Sequence, residues 1–399
     1  MTAKVLVLGA NFGGMTAGLA VKHELGDDVD VTVVAADDHF LFTPSLIWLP
    51  FGKRDREDLT FPVEPTFDSH GVEFVHAAAT HVDPVDRTVA ISDGQVRAYD
   101  YLVVATGYRN NDQVVPGFTE HAQTITTLAT AERTGRAWTT FLDDPGDVVV
   151  AATQGAGCFG AAYEFLFNTS HQLRKAGLHK DVRLTYVSAE PFLGHFGIGG
   201  LPHGESLLGM FLEKEGIDTR LSVAIDHVDD GRLVLADGEA LPFSFGMVVP
   251  PFLGQEFLSG SGLTDEKGFI PVRPTYQSEK HDDVYAVGVA AAVDAPWQTP
   301  TPVGIPKTGF PTEVMAHIAA TNIASQVRGE APEKAQAFGD IKAVCVMDAG
   351  NNGVIILADK MLPPRKHGML IPGPQAHLMK LGFEKYFLWK MRHGYTQLP

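Results

Sequence analysis

The chain reads as an α/β protein: two tandem Rossmann-like dinucleotide-binding domains with inserted β-meanders, followed by a C-terminal helical region. Three observations predict this. "VLVLGANFGG" from Val5 and "VVVAATQGAGCFG" from Val148 each run from an apolar strand into a glycine turn and then a helical pattern. The features downstream repeat at nearly constant spacing: Gly9 and Gly155 lie 146 residues apart, as do His81 and His227, and the hairpin turns Asp93-Gly94 and Asp237-Gly238 lie 144 apart. Finally, 399 residues with 45% hydrophobic and 20% charged side chains, 41 glycines and 25 prolines suit two buried cores joined by many tight turns.

Each element has its reason. In the first glycine loop (Gly9, Asn11, Gly13, Gly14), Asn11 stands where a second fingerprint glycine is usual, and Asn tolerates left-handed backbone better than other substitutes. The next strand, "VDVTVVAADD", has Ala35 at the place of the ribose-binding acid, with Asp37 and Asp38 two or three residues later. A meander, "HVDPVDRTVAISDGQVRAYDYLVVATG", leads to Ala105, Thr106 and Gly107; "HVDDGRLVLADGEALPFSFGMVVPP" is its second copy. "DDVYAVGVAAA" adds a buried strand with Gly288 and Val289, and "PKTGFPTEVMAHIAATNIASQVRG" a helix entered through Lys307, Thr308 and Gly309; both are expected to return to the first module. The expected boundaries are 1–112 with 276–335, 113–275, and 336–399.

A net charge of −17 argues against nucleic-acid binding, which needs clustered Lys and Arg. From Asp359 onward, however, seven basic residues face two acids, so the tail is about +5 and the rest about −22. No stretch reaches the roughly 18 apolar residues of a spanning helix, and the first strand starts at Lys4. A cytoplasmic location is expected, with two cysteines in a reducing compartment being either inert or a redox pair.

One of them, Cys158, sits inside the second fingerprint, "TQGAGCFGAAYEF" (Gly155, Gly157, Gly160). A pyrophosphate loop needs glycines, not a thiol. At the start of a helix, unpaired N–H groups and the helix dipole are expected to stabilise a thiolate, the nucleophilic form. Cys345 lies 187 positions later in an apolar strand-like run, so only the tertiary fold can unite the two.

These motifs, with "VVPPFLG", "PVGIPKTGF", "VCVMDAGNNG" and "FEKYFLWKMRHG", resemble the sulfide:quinone oxidoreductase family, relatives of flavocytochrome c sulfide dehydrogenase and type II NADH dehydrogenase, over nearly the whole chain. The resemblance implies an FAD-dependent enzyme whose Cys158 and Cys345 carry a sulfur bridge beside the flavin. Hydrosulfide attacks the bridge, sulfur leaves as polysulfide, and the freed thiolate, assigned to Cys345, sends electrons on to the flavin. It implies FAD contacts at Gly9, Asn11, Phe12, Gly14, Asp37, Thr43, Pro44, Ala79, Ala105, Thr106, Gly107, Gly288, Val289, Lys307, Thr308 and Gly309. Glu164 and His195 are candidate proton carriers, with a helix-surface carboxylate and a loop histidine as the bland alternatives. Lys380 and Phe383 match the family's quinone contacts. No metal is expected. Thr126 replaces a third cysteine found in many relatives, so FAD is expected to bind noncovalently.

"HLMKLGFEKYFLWKMRHG" sets Met379, Phe383, Tyr386, Phe387 and Met391 on one helical face among Lys380, Lys385, Lys390 and Arg392. That pattern makes the C-terminal region membrane- and quinone-facing, attached peripherally to the anionic cytoplasmic membrane surface; the alternative is a helix docked on the protein's own core. A homo-oligomer is compatible with all this. The rival activities are a type II NADH:quinone oxidoreductase and a non-catalytic flavin- or persulfide-binding sensor. Against the first, Glu190 falls 30 residues beyond Gly160 where about 20 is usual for the nucleotide-binding acid.

Overall fold

The structure, a computed structural model, describes residues 2–398. The strand Ala3–Leu8 buries Val5 through Leu8, as a strand covered on both faces must. Its turn begins at Gly9, with φ of +102° and room for no side chain: a Cβ there would stand 2.5 Å from the Ala105 carbonyl oxygen. Asn11 caps the helix Phe12–Leu25, its side chain accepting from the Phe12 N–H at 3.0 Å. Four further parallel strands complete a sheet in the spatial order Val284–Ala286, Tyr101–Val104, Ala3–Leu8, Val29–Ala35, Glu73–His76. The antiparallel meander Ala79–Asp83, Thr88–Ile91, Val96–Ala98 is inserted before Tyr101–Val104.

The second module repeats the plan. The strand Val148–Ala152 is buried at every position and leads through the glycine turn into the helix Phe159–Lys175. Its parallel sheet runs Asp218–Leu221, Leu184–Ser188, Val148–Ala152, Phe245–Val249, and its meander is Ile225–Asp229, Arg232–Leu235, Ala240–Pro242. In both meanders the expected Asp-Gly turn places glycine at positive φ, +88° at Gly94 and +92° at Gly238. The helix Gly309–Val327 packs against Phe12–Leu25.

The C-terminal region corrects its expected helical character. Strands Ala343–Asp348, Gly353–Ala358 and Gly368–Pro372 form an antiparallel sheet, against which one helix, Pro374–Arg392, packs. The turn "AGNNG" between two apolar runs was the overlooked hairpin signal. The helix face is corrected too: Phe387 and Met391 are buried while Met379 and Phe383 are exposed, and Lys380 and Lys390 point inward. The inward stripe is Ala376, Lys380, Glu384, Phe387, Lys390 and Met391. It admits charges because each meets its opposite: Lys380 with Glu164, Glu384 with Arg54 at 2.9 Å, and Lys390 with Glu313 at 2.8 Å. No helix among the described residues is long and apolar enough to cross a membrane.

Removing one member of such a pair leaves a buried charge uncompensated. Lys390→Met is therefore expected to lose about 3–5 kcal/mol, and adding Glu313→Leu to recover most of it, as read by the shift in thermal melting.

Candidate active site

At the carboxyl ends of Val284–Ala286, Tyr101–Val104 and Ala3–Leu8 three small-residue turns face one crevice, the place where open parallel sheets bind ligands. The turns are Gly288-Val289, Ala105-Thr106-Gly107 and Gly9 to Gly14. Two observations fit this crevice to a dinucleotide. The Thr106 hydroxyl is buried with no partner, and a side chain built on Gly107 would meet nothing within 4 Å. Beyond the strand Val29–Ala35, Asp38 is engaged with His39 at 2.6 Å, whereas Asp37 is exposed. Thr43 and Pro44 open the 3-10 helix Thr43–Phe51, and Ala79 begins the first meander. Lys307 is turned aside: its ammonium donates to the Val289 carbonyl at 2.9 Å and the Ala291 carbonyl at 2.6 Å, over the Phe269 ring, and burial pulls its pKa down to about 7. Thr308 then caps Gly309–Val327, and a Cβ on Gly309 would collide with the Phe12 ring at 2.7 Å.

The second glycine loop is closed. Its amides, which in a nucleotide site would face a pyrophosphate, are taken: Gly155 N–H donates to the Pro302 carbonyl at 2.6 Å and Gly157 N–H to the Pro250 carbonyl at 3.0 Å. The Phe252 ring fills the space over Gly157, where a Cβ would lie 2.1 Å from it, and stacks on Tyr108 at 3.7 Å. Glu190, at the end of Leu184–Ser188, faces inward, accepting from Phe196 N–H at 2.6 Å and from the Tyr186 and Ser188 hydroxyls at 3.0 Å. Burial lifts its pKa to about 7 against those donors. This carboxyl ties down the loop 194–200 and meets no solvent.

Cys158 stands at the N-cap of the helix Phe159–Lys175 with no side-chain cap hydrogen bond, and the amides of Ala161 and Gly160 offset its burial only in part. Cys345 projects from Ala343–Asp348, close enough for its charge to interact with Cys158 and Glu164. Both are free thiols. The expected thiolate is corrected: burial pushes Cys158 above the ordinary thiol range despite the amides, and Cys345 up to about 12. A helix terminus stabilises a thiolate when water helps; here burial and the nearby Glu164 carboxylate outweigh it.

Glu164 joins the pieces. It is a buried group, not a helix-surface carboxylate; its Oε1 accepts from the Asp348 N–H at 2.6 Å and from the Lys380 ammonium. Burial raises its pKa, opposed chiefly by Lys380. His195 lies elsewhere, buried between Phe192 and Trp297, its Nδ1 accepting from Gly197 N–H at 3.3 Å. Burial and the Arg365 charge hold its pKa down to about 4, so it is neutral at physiological pH. Thr126 accepts from Tyr108 Oη through its carbonyl, at 2.8 Å, and from Asn110 through its hydroxyl, at 2.9 Å.

Sequence reasoning missed four groups around this centre: Trp48, Asn168, Asp348 and His377. Asp348 is fully buried, taking Trp48 Nε1–H at 2.8 Å, Gly350 N–H at 3.0 Å and His377. The Trp48 ring meets two cations, the Arg54 guanidinium at 4.9 Å and the Lys380 ammonium at 5.2 Å from its centroid. The one available signal was "VCVMD", which puts an acid three residues after Cys345. Phe383, 38% exposed, contacts Phe42 and Phe387, and both touch Phe12 of the first glycine loop. Among the described residues no metal-binding cluster occurs.

Comparison with known proteins matches residues 3–317 to the family model described as pyridine nucleotide-disulphide oxidoreductase. The sulfide-quinone reductase of Aquifex aeolicus is 32% identical over 99% of this chain and 92% of its own length. The crystal structure of the sulfide:quinone oxidoreductase of that bacterium superposes with a TM-score of 0.94 at 32% identity, covering 98% of this chain and 92% of that one. A type II NADH:quinone oxidoreductase of Staphylococcus epidermidis is 26% identical over 92% of both chains.

In the reduced, ligand-free protein, iodoacetamide is expected to label both cysteines slowly at pH 7, with the Cys345 rate rising only toward about pH 12. Glu164→Gln should bring labelling to lower pH, since a nearby negative charge no longer opposes the thiolate. Peptide mapping of the alkylated protein reads both.

Proposed function

The chain belongs to the pyridine nucleotide-disulphide oxidoreductases and, among them, to the sulfide:quinone oxidoreductases, and we propose that Cys158 and Cys345 carry its sulfur chemistry. It is an FAD-dependent enzyme that oxidises sulfide and reduces quinone. The single observation that carries the residue assignment is that Glu164, on the helix that Cys158 opens, bonds the backbone of Asp348 in the strand of Cys345, beside a second glycine loop whose amides are already occupied.

Bound in the first crevice, FAD supplies the two-electron sink between sulfide and quinone. The residues assigned to hold it are the turns Gly9 to Gly14, with Asn11 and Phe12, Ala105 to Gly107 and Gly288-Val289, with Asp37 on the ribose. Thr43, Pro44, Ala79, Thr308 and Gly309 line its length, while Lys307 acts by fixing the carbonyls of the 289–291 turn. The halves 1–112 and 276–335 together form this domain, 113–275 carries Cys158, and 336–399 carries Cys345. With Thr126 where a third cysteine would stand, attachment is noncovalent.

High thiol pKa values suit a pair that works from its oxidised form, because the nucleophile is then hydrosulfide and not a protein thiolate. Attack on the bridged pair forms one S–S bond and breaks another, leaving a persulfide and a thiolate. The amides of Gly160 and Ala161 support negative charge on Cys158 in the protein alone; a Cys345 thiolate needs the electron sink beside it. Glu164, raised by burial, is assigned as the proton acceptor for the persulfide; it becomes neutral on taking the proton, and the Lys380 ammonium is then left to balance the negative persulfide. His195, neutral and engaged with its own loop, positions the glycine-rich segment.

We assign the quinone ring to Phe383 and Lys380, beside the aromatic column Phe12, Phe42, Phe387. Around it the C-terminal helix exposes Leu378 at 67%, Met379 at 42% and Trp389 at 45%, with Lys385 among them. This apolar, basic-edged face suits peripheral attachment to the anionic cytoplasmic face of a membrane.

The closed second loop argues against hydride transfer from NADH. In an anaerobic titration, sulfide is expected to bleach the flavin spectrum and a short-chain quinone to restore it, while NADH does neither; bleaching by NADH alone would reverse the assignment. Cys158→Ser and Cys345→Ser should each lose sulfide oxidation by at least about 100-fold with the flavin still bound. Phe383→Ala should raise KM for quinone and leave the sulfide half-reaction unchanged. Leu378→Glu with Trp389→Glu should abolish cosedimentation with anionic liposomes.

A further inference from the structure

Lys380 is held in place by a bond that the sulfur chemistry itself weakens. Its carboxylate partner is Glu164, whose Oε1 takes both this ammonium and the Asp348 N–H. When a persulfide gives its proton to Glu164, the electron pair of the S–H bond stays on sulfur, so a persulfide anion and a neutral carboxyl form with no change of oxidation state. Lys380 then loses its ionic partner just as sulfur becomes negative. Its charge acts on both Cys158 and Cys345, so its position at that moment matters.

A competing acceptor lies on its own helix. Glu384 follows Lys380 by four residues on the same inward stripe and is also buried. At that spacing the two side chains can reach each other, although lysine before glutamate is the weaker order. Glu384 Oε1 accepts from Arg54 Nε at 2.9 Å, whereas Oε2 is buried with no partner. A bare carboxylate oxygen in the interior favours any cation within reach. Asp348 offers no such place: Oδ1 is taken by His377, and Oδ2 accepts from Trp48 Nε1–H at 2.8 Å and Gly350 N–H at 3.0 Å.

Trp48 touches Lys380 without changing charge during turnover. It is buried on the 3-10 helix Thr43–Phe51 and fixed at its N–H edge by Asp348. Its ring meets Lys380 Nζ at 5.2 Å and the Arg54 guanidinium at 4.9 Å, and a desolvated cation is held by an indole face more firmly than an exposed one. A lysine stem, being flexible, needs such a hold to keep one position. Resting on the sulfide:quinone reading, we propose that Trp48 is a positioning residue for the sulfide half-reaction: its ring keeps the Lys380 ammonium on the Glu164 side and off Glu384 Oε2 while Glu164 carries the proton.

Trp48→Leu is expected to slow flavin bleaching by sulfide about tenfold, the equivalent of one pKa unit of lost charge support. Adding Glu384→Gln, which keeps an acceptor for Arg54 but offers Lys380 no charge, should restore most of the rate, while Glu384→Gln alone bleaches like the wild type. A ring that merely fills space gives no such restoration. Wild-type speed in Trp48→Leu, or slowing that Glu384→Gln does not relieve, overturns the proposal. Where the leucine variant fails to fold, fluorinated tryptophans placed at position 48, which keep the ring's shape and weaken its face, should slow bleaching stepwise with each added fluorine; a constant rate contradicts it. A readout independent of sulfide starts from Glu164→Gln, which mimics the proton-loaded carboxyl. In the reduced, full-length protein, adding Trp48→Leu to this variant should slow alkylation of Cys158 at fixed pH about tenfold, and adding Glu384→Gln as well should reverse it; unchanged labelling overturns the proposal. Failure of sulfide to bleach the wild type would instead sink the sulfide:quinone reading, while the labelling series would still decide the role of Trp48.

Discussion

One buried carboxylate holds the active centre together. Glu164 Oε1 accepts from the Lys380 ammonium and from the backbone of Asp348, and Glu164 itself belongs to the helix that starts at Cys158. It therefore ties three elements at one atom: the helix of the first cysteine, the strand of the second, and the C-terminal helix. A charge this deep is tolerable only while paired, because an isolated carboxylate in a low-dielectric interior costs several kcal/mol. The two cysteines lie 187 positions apart, and the polar junction joins the elements that carry them, beside the hydrophobic core against which Cys345 packs.

The junction also explains what became of the second nucleotide turn. Its strand, glycines and helix are intact, yet Pro302 and Pro250 supply the carbonyls that its amides need, and Phe252 occupies the approach. Glu190, at the end of the next strand, has turned inward to anchor the 194–200 loop. A helix start that serves an anion in a nucleotide site here carries a thiol at its N-cap. The chain retains the shape of a two-nucleotide protein with one nucleotide position rebuilt around a thiol.

How much of this was legible in the sequence follows from which forces are local. Glycine turns, Asp-Gly hairpins and the apolar strands on either side are set by backbone sterics and periodicity, so both modules and both meanders were readable down to individual turns. The three-stranded C-terminal sheet was hidden because Gly353–Ala358 and Gly368–Pro372 are short apolar runs with no strong alternation. The inward lysines of the last helix could not be read either, since Lys380 and Lys390 look like solvated charges until Glu164 and Glu313, 216 and 77 residues away, are placed beside them. His377 was invisible for the same reason, and Asp348 showed only as an acid three residues after Cys345. The thiolate expected from the helix terminus failed because a local dipole was weighed without the burial that only the tertiary fold imposes.

The central claim is that Cys158 and Cys345 act as one sulfur-carrying unit. It is tested most directly by mass spectrometry of a non-reducing digest of protein exposed to sulfide and alkylated at once. The account predicts that the peptides containing Cys158 and Cys345 appear joined, with one or more extra sulfur atoms between them after sulfide and not before. Separate, singly alkylated peptides carrying no added sulfur, in protein that still turns over sulfide, would contradict it.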